Sequence, residues 1–246
     1  MDNSAAIFIP ARLDSSRFPK KVLYPIDGKP MVIRVLEQAQ NLDLCRCYVA
    51  CCGSEIKKIV EDHGGQAIIT DPELQSGTDR VFAALETLEQ KPEYVINLQG
   101  DTPVFAPQML SETLAALKAN ESIDIATPAT YCDDRSKAHD ENTVKVAFEN
   151  MDKHIPGKAI YFSRSSIPYG SPFTYSHVGI YVYRYNSLKK FVSLPQTFCE
   201  KTERLEQLRG LQNGINIWVV PVTGTALSVD TEQDVEVVLK ALSVKC

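Results

Sequence analysis

The chain has 246 residues, of which 44% are hydrophobic and 23% are charged, and its net charge is −5. This balance is typical of a soluble globular protein and excludes a general attraction to nucleic acid or to an anionic membrane surface. No apolar run approaches the roughly 20 residues of a membrane span, and residues 1–11 are too short and too acidic for a secretory signal. A cytoplasmic protein without nucleic-acid or membrane partners is therefore predicted.

The first half of the chain alternates short apolar runs with amphipathic stretches. Strands are predicted at Ala5–Pro10, Cys47–Cys51, Gln66–Thr70 and Tyr94–Leu98, and helices at Pro30–Asn41, Ser54–His63, Ser76–Glu89 and Pro107–Ala119. This alternation predicts an α/β fold with a doubly wound, mostly parallel (Rossmann-like) sheet. In such sheets, ligands bind beyond the carboxyl ends of the strands.

The alternation stops after about residue 125. Strands are predicted at Ile125–Thr130, Thr143–Phe148, Val178–Tyr183 and Ile215–Pro221, with long irregular segments between them, and a last helix at Thr231–Leu242. We expect one domain spanning residues 1–246, with a smaller antiparallel lobe within roughly residues 131–210. That lobe could cover a cleft or form an oligomer interface.

The seven cysteines do not predict a disulfide framework, because their number is odd and no secretory signal precedes them. Cys45, Cys47, Cys51 and Cys52 are spaced closely enough to suggest a metal cluster. However, side chains alternate between the two faces of a strand, so four sulfurs would not easily converge on one ion. Buried, reduced thiols are predicted instead.

The loop after the first strand, PARLDSSRFPKK, contains four basic residues. They are Arg12, Arg17, Lys20 and Lys21. Arginine can bind phosphate oxygens in pairs, and such cations stabilise charge during phosphoryl transfer. The loop lacks the G-x-x-x-x-G-K-[ST] pattern of a P-loop. A triphosphate site and an ordinary solvated basic loop both remain open.

Two aspartates follow apolar runs that read as strands. Asp101 ends the segment NLQGD, and Asp230 lies in the segment VDT. Magnesium prefers one or two carboxylates, with phosphates and water in its other positions, so the pair could form a magnesium site. The alternatives are an ordinary Gly-Asp turn at Asp101 and a helix cap at Asp230.

Further polar side chains group in four short segments. Ser76 and Asp79 in SGTDR fit a capping box, whose helix N-terminus offers free N–H groups. The segments YFSRSSIP, HVGIY and ERLEQLR supply Arg, His, Tyr, Glu and Gln. A polyhydroxylated acid needs a cation for its carboxylate and mixed donors and acceptors for its hydroxyls. Each of these residues could instead be a satisfied structural polar group.

Taken in order, the motifs resemble those of the CMP-Kdo synthetases, the 3-deoxy-manno-octulosonate cytidylyltransferases. The resemblance runs from about Ile7 to Val238, through PARLDSSRFPKK, DGKPM, QSGTDR, NLQGD, YFSRSSIP, HVGIY, LEQLR and SVDT. The first and fourth motifs are shared with other sugar nucleotidyltransferases. YFSRSSIP, HVGIY and LEQLR are specific to the branch that uses the eight-carbon acid Kdo.

The resemblance implies a magnesium-dependent reaction. The anomeric 2-hydroxyl of Kdo attacks the α-phosphate of CTP, pyrophosphate leaves, and CMP-Kdo forms for lipopolysaccharide biosynthesis. The implied partners are CTP, Kdo, Mg²⁺ and a second copy of the chain, in a homodimer formed through the smaller lobe.

The resemblance also assigns roles to individual residues. The catalytic residues would be Arg12, Arg17, Lys21 and Asp101, and the metal ligands Asp101 and Asp230. The nucleotide would be bound by Pro10, Ala11, Arg12, Lys21, Ser76, Gly77, Thr78 and Arg80. The sugar acid would be bound by Gln99, Arg164, His177, Tyr181, Glu206 and Gln207.

The chain departs from the family pattern in three motifs, and its segment between Pro168 and His177 is short. Lys20 replaces the Gly of P-G-K-P, Thr102 replaces the Glu of G-D-E-P, and Cys51-Cys52 replaces Thr-Asp after the second strand. A related acidic sugar, such as 8-amino-Kdo or a sialic-type acid, therefore remains an alternative, as does a hexose 1-phosphate. A non-catalytic nucleotide-binding module is the other alternative, although Arg12, Lys21, Asp101 and Asp230 are all present.

Overall fold

A computed structural model describes residues 2–13 and 18–243. The predicted site residue Arg17 lies outside these residues. The chain divides into two units: unit 1 is Met1–Pro107 with Thr225–Cys246, and unit 2 is Gln108–Gly224. Among the described residues, no helix has the length and apolar character needed to cross a bilayer.

The N-terminal part of unit 1 contains a parallel sheet. Its strands and helices are β1 (Ala5–Ala11), β2 (Pro25–Ile26), β3 (Lys29–Pro30), α1 (Met31–Asn41), β4 (Arg46–Cys51), α2 (Ser54–Asp62), β5 (Ala67–Ile69), α3 (Gly77–Glu86), β6 (Tyr94–Asn97) and β7 (Val104–Phe105). The sheet has the order β6-β1-β4-β5, and all its pairs are parallel. Every residue of β1 is buried, as expected of a parallel strand covered on both faces.

The α/β prediction is confirmed, and the predicted elements of this half end within three residues of the observed ones. The helix predicted from Pro30 begins at Met31, with Pro30 as its N-cap. The helix predicted from Ser76 begins at Gly77, with Ser76 as its N-cap, and it ends at Glu86 instead of Glu89. The doubly wound arrangement of helices about the sheet stays a prediction.

Unit 2 combines helices with mostly antiparallel strands. Its elements are α4 (Gln108–Ala119), β8 (Ile125–Cys132), α5 (Arg135–His139), β9 (Lys145–Phe148), β10 (Gly157–Ser163), β11 (Thr174–His177), β12 (Tyr181–Arg184), α6 (Tyr185–Ser193), α7 (Phe198–Glu203), α8 (Gln207–Gln212) and β13 (Ile217–Val222). The strand order is β11-β9-β10-β13-β8-β12, and β11 also pairs with β8. Only the pair of β8 and β13 is parallel among these.

Two strands of unit 2 were missed from the sequence, and one was wrongly bounded. Strands β10 and β11 lie where irregular segments were expected. The strand predicted from Val178 begins only at Tyr181, because the backbone turns between them: the Ile180 N–H donates to the Val178 carbonyl at 2.7 Å. A single strand predicted across this turn would have placed His177 and Tyr181 far apart, whereas their rings are 5.4 Å apart.

The chain then returns to unit 1 through β14 (Ala226–Leu227) and α9 (Glu232–Ser243). Strand β14 pairs with β7, and the Val229 N–H donates to the Asp101 carbonyl at 2.8 Å. Val229 is buried in an apolar cluster with the following residues: Phe18, Ile26, Met31, Val104, Val235 and Val238. Burial of this apolar surface holds the C-terminal segment beside the end of β6.

The described cysteines are free thiols. Cys45, Cys47 and Cys51 are buried, as predicted, and burial raises the pKa of Cys47 to about 11. Cys52 was also expected to be buried but is partly exposed, because it follows the end of β4. No group of three or more metal-ligating side chains occurs in the described part of the chain.

Candidate active site

A cavity in unit 1 opens beyond the carboxyl ends of β1 and β6. Its lining residues are Pro10, Arg12, Lys21, Val22, Gly77, Arg80, Gln99 and Asp101. All of them except Val22 belong to the site predicted from the sequence. The structure therefore brings together residues from the cationic loop, the N-terminus of α3 and the NLQGD segment.

Two glycines allow these segments to approach each other. A Cβ atom on Gly100 would lie 2.7 Å from the Pro10 carbonyl oxygen, too close for any side chain. A Cβ atom on Gly77 would lie 3.3 Å from Cγ of Pro10. Gly100 is thus needed so that the segment carrying Asp101 can run against the end of β1.

Lys21 joins the two predicted metal ligands. Its Nζ atom donates to Oδ2 of Asp101 at 2.6 Å and to Oδ1 of Asp230 at 3.0 Å. The Lys21 side chain is 10% exposed, whereas those of Asp101 and Asp230 are 30% and 52% exposed. One buried ammonium group therefore faces two carboxylates that remain open to the cavity side and to solvent.

Two opposing effects set the pKa of Lys21. Burial, the largest single effect, lowers it because an ammonium group loses hydration. The charge and hydrogen bond of Asp101, followed by those of Asp230, raise it. Together the carboxylates outweigh burial, so the net pKa lies above the ordinary value and Lys21 is charged at neutral pH.

Asp234, in the first turn of α9, bonds back to the backbone that precedes the helix. Its Oδ2 atom accepts hydrogen bonds from the backbone N–H groups of Asp230 and Thr231, at 2.9 and 2.8 Å, and from the Thr231 hydroxyl at 3.0 Å. These bonds fix the backbone just before α9. The Asp230 carboxylate accepts from Lys21 at 3.0 Å, and the acidic side chain that bonds to the backbone at the start of α9 is that of Asp234.

Arg80 contributes a fixed positive charge to the cavity. It is 1% exposed, and its guanidinium group donates to the Thr70 hydroxyl at 2.6 Å and to the carbonyls of Asp71 and Pro72 at 3.0 and 3.2 Å. These partners are neutral oxygens. They hold the guanidinium in place without cancelling its charge, so it is suited to attract an anionic ligand.

The N-terminus of α3 is organised as predicted, and Gln99 is oriented by a residue that sequence analysis did not select. The Asp79 N–H donates to Oγ of Ser76 at 3.1 Å, which is the expected N-cap. Buried Asn97 accepts from Nε2 of Gln99 at 3.0 Å and donates to Oγ1 of Thr78 at 3.4 Å. An amide inside an otherwise apolar strand was the available signal for Asn97.

Cys52 contacts the backbone on both sides of Arg12. The Cys52 N–H donates to the Ala11 carbonyl at 3.3 Å, and the Leu13 N–H donates to the Cys52 sulfur at 3.4 Å. Arg12 itself is exposed. The unusual Cys52 therefore helps to hold the start of the cationic loop.

Lys20 has a different role from its neighbour. Its backbone is left-handed, with φ of 54° and ψ of 27°, at the position where the family usually has Gly. Its Nζ atom is paired with the Glu55 carboxylate of α2 at 2.9 Å, and both side chains are largely exposed. The charge that Lys20 adds thus pairs with α2, whereas Lys21 is buried between two aspartates.

In unit 2, the rings of His177 and Tyr181 lie 5.4 Å apart. Nε2 of His177 lies 2.8 Å from the Thr127 hydroxyl, whose single proton is best directed to the Ile180 carbonyl at 2.7 Å. The histidine therefore donates from Nε2. Burial lowers the pKa of His177 to about 3, and burial together with Glu206 raises the pKa of Tyr181 far above its ordinary value.

The pKa of His177 predicts a pH dependence of stability. Between pH 6.5 and about 3, the unfolded chain binds a proton that folded His177 excludes, so the free energy of unfolding falls as pH falls. Between pH 6.5 and 5 this amounts to about 2 kcal/mol. Urea denaturation measures the free energy of unfolding at pH 7 and at pH 5. The decrease between these two pH values should be about 2 kcal/mol smaller for His177→Gln than for the parent. The exposed His154→Gln is the control, and equal losses in both variants would contradict the assignment.

Arg164 was predicted to bind the sugar acid, and the structure shows how it is anchored. Its Nε and Nη1 atoms donate to the backbone carbonyls of Glu203 and Glu141, each at 2.9 Å. The Glu203 carboxylate accepts from the Ser163 hydroxyl at 2.8 Å and from the Arg164 N–H at 3.0 Å. Glu203 therefore ties β10 to α7, a role that sequence analysis did not assign.

Gln207 begins α8 and is 4% exposed, and its Nε2 atom has no hydrogen-bond partner among the described residues. Its neighbourhood is fixed by a buried ion pair that was also missed from the sequence. Glu200 accepts from Nε and Nη2 of Arg209 at 3.0 and 2.5 Å. This pair joins α7 to α8 across the segment that carries Glu206 and Gln207.

Breaking that pair should destabilise the protein. Glu200→Ala is expected to lower the free energy of unfolding by about 3–5 kcal/mol, because it leaves the Arg209 guanidinium buried without the carboxylate that accepts two of its N–H groups. Urea denaturation measures the loss. The exposed pair of Lys58 and Asp62 is the control, since Asp62→Ala should cost about 1 kcal/mol or less. A similar small loss for both variants would contradict the expectation.

Comparison with known proteins identifies the class first. Residues 6–217 match the family model described as cytidylyltransferase. The chain therefore belongs to the cytidylyltransferase family.

Individual relatives of the chain indicate a specific enzyme within this family. The chain is 40% identical to the 3-deoxy-manno-octulosonate cytidylyltransferase of Paramagnetospirillum magneticum, over 94% of each chain, and 41% identical to that of Rickettsia typhi, over 97% of each chain. A solved CMP:2-keto-3-deoxy-manno-octonic acid synthetase complexed with CTP has a TM-score of 0.90 and 36% identity, covering 98% of this chain and 99% of that one. The resemblance to CMP-Kdo synthetases inferred from the motifs is confirmed.

Proposed function

We propose that the protein transfers CMP from CTP to the anomeric hydroxyl of Kdo, which releases pyrophosphate and forms CMP-Kdo. The observation that carries this proposal is the placement of Lys21, Asp101 and Asp230 in one cluster, with Arg12 and Arg80 lining the same cavity. Fixed cations next to an acidic pair are what a nucleotide triphosphate and its metal require. The relatives that share nearly the full length of the chain are named for this reaction.

Magnesium is the proposed cofactor, held by Asp101 and Asp230. The two carboxylates fit such an ion because both already reach one cationic centre, the Lys21 ammonium, at 2.6 and 3.0 Å. No third acidic, cysteine or histidine ligand joins them within the described residues. The remaining positions would fall to phosphate oxygens and water, the ligand set that Mg²⁺ prefers. When bound, the ion would neutralise phosphate charge.

The cations of unit 1 would carry the phosphate chemistry. Arg12, exposed at the cavity, would bind the triphosphate, and Arg80 would add a fixed field from below the surface. Lys21, which is charged at neutral pH, would stabilise the charge that develops as the bond to pyrophosphate breaks. Two unit charges about 4 Å apart interact by about 4 kcal/mol at an effective dielectric of 20. One such contact is enough to change a rate by about a thousandfold.

The polar residues of unit 2 would bind the acidic sugar. His177 and Tyr181 are neutral at pH 7, so they would recognise hydroxyl groups without adding charge. The unpartnered amide nitrogen of Gln207 would donate to a ligand oxygen, since a buried donor without a partner costs free energy. Arg164 would supply the positive charge for the sugar carboxylate.

A cytoplasmic location and a homodimer formed through the smaller lobe are also proposed. The location is the expectation drawn from the sequence, and the homodimer rests on the resemblance to the family.

The test is pyrophosphate release with CTP and Mg²⁺ across a panel of acceptors. Kdo, 8-amino-Kdo, sialic acid and a hexose 1-phosphate separate the leading alternatives. We expect Kdo to give the highest kcat/KM. Release with only the sialic-type acid or the hexose 1-phosphate would assign a different substrate, and no release with any acceptor would favour a non-catalytic module.

A further inference from the structure

The ammonium of Lys21 lies where a cation shared by Asp101 and Asp230 would have to lie. Its contacts of 2.6 and 3.0 Å are charge-assisted hydrogen bonds to one oxygen of each carboxylate. The Lys21 side chain is 10% exposed, so it is packed into this position instead of extending into solvent.

Lys21 and a divalent ion cannot both bridge the same pair of oxygens. Magnesium binds oxygen at about 2.0–2.1 Å, so an ion between these carboxylates would fall within contact distance of Nζ. Two positive centres that close repel each other strongly in a partly buried site. Loading the ion therefore requires Lys21 to leave.

The nucleotide supplies alternative acceptors for the Lys21 ammonium. A lysine side chain is a flexible stem carrying a point charge, and a triphosphate provides several oxygens that can accept from it. Phosphate oxygens would also complete the shell of the arriving ion. Binding of the nucleotide would thus provide oxygen partners for both the Lys21 ammonium and the divalent ion.

We propose that Lys21 is the resident cation of the Asp101 and Asp230 pair in the nucleotide-free protein, and that the divalent ion enters only with the nucleotide, whose phosphates accept the displaced ammonium. The inference rests on the proposed function, because it concerns the same acidic pair. It adds an order of events. The divalent ion alone binds weakly, and it replaces the Lys21 ammonium between Asp101 and Asp230 when the nucleotide binds.

The test is Mn²⁺ binding to the nucleotide-free protein, measured by electron paramagnetic resonance. Lys21→Met removes the resident charge, and we expect this variant to bind Mn²⁺ at least about tenfold tighter than the parent. Lys20→Met is the matched control, because Lys20 is paired with Glu55 instead of the aspartates. It should bind Mn²⁺ like the parent. Adding Asp101→Asn to Lys21→Met should abolish the gain, which assigns it to this pair.

The outcome that overturns the inference is a Lys21→Met protein whose Mn²⁺ affinity equals that of the parent. Lys21→Gln keeps a hydrogen-bond donor between the carboxylates but removes the charge, and it should also bind Mn²⁺ more tightly than the parent. Circular dichroism verifies that each variant is folded. Pyrophosphate release by the parent is a separate readout. An active parent with no gain in the Lys21 variants would retain the proposed function and reject the exchange.

Discussion

Asp101→Asn is expected to lower kcat by about a thousandfold or more while leaving the fold intact. The amide removes a charged ligand from the proposed metal site, and it removes the closer of the two carboxylates bound to Lys21, at 2.6 Å. The asparagine side chain has the same shape as that of aspartate, so the close approach of Gly100 to Pro10 is retained. A thousandfold loss corresponds to about 4 kcal/mol of transition-state stabilisation.

Pyrophosphate release with CTP, Kdo and Mg²⁺ measures this effect, and thermal unfolding checks the fold. Asp62→Asn is the control, because Asp62 is exposed on α2 and pairs only with Lys58 among the contacts described. Its kcat should equal that of the parent. Full activity in Asp101→Asn would remove this residue from the mechanism.

Lys21→Ala is expected to lower kcat by about 10²–10³-fold and to weaken CTP binding much less. The reason is that charge on the leaving pyrophosphate grows in the transition state, so a cation gains most at that point. Arg12 and Arg80 remain to bind the ground-state triphosphate. Steady-state kinetics separate the two effects.

The comparison variant is Lys20→Ala, which removes the neighbouring charge but leaves the buried cluster untouched. It should change kcat little. If Lys21→Ala raised KM at constant kcat, the lysine would bind substrate and transition state equally, contrary to the proposed role.

The parallel half of the fold was predictable because its signals are local. Apolar runs such as Ile7–Ile9 are separated by amphipathic helices, and that alternation predicts a mainly parallel sheet. The placement of Asp101 at a strand end also follows from the local sequence. The proximity of Asp101 to Asp230 does not follow from the local sequence. It depends on the pairing of β7 with β14 and on the hydrogen bond from the Val229 N–H to the Asp101 carbonyl.

The antiparallel half was less predictable, and its misses have physical causes. Strand β10 alternates buried and exposed residues only at Gly157–Ile160, where Ile160 is an exposed apolar residue that blurs the pattern. The pair of Glu200 and Arg209 depends on a turn between two short helices, which no periodicity reveals. The bond of Lys21 to both aspartates likewise depends on tertiary contacts, although each residue had been selected separately.

The central claim is that a cationic turn and two aspartates distant in sequence meet around a divalent ion that carries a cytosine nucleotide. Crystals grown with Mn²⁺ and a non-hydrolysable CTP analogue test it directly, because the anomalous signal locates the ion. The account predicts a peak between the carboxylates of Asp101 and Asp230, with phosphate oxygens in the ion's shell and Arg12 and Lys21 on the triphosphate. A peak remote from both aspartates, or phosphates bound away from Arg12 and Lys21, would contradict it.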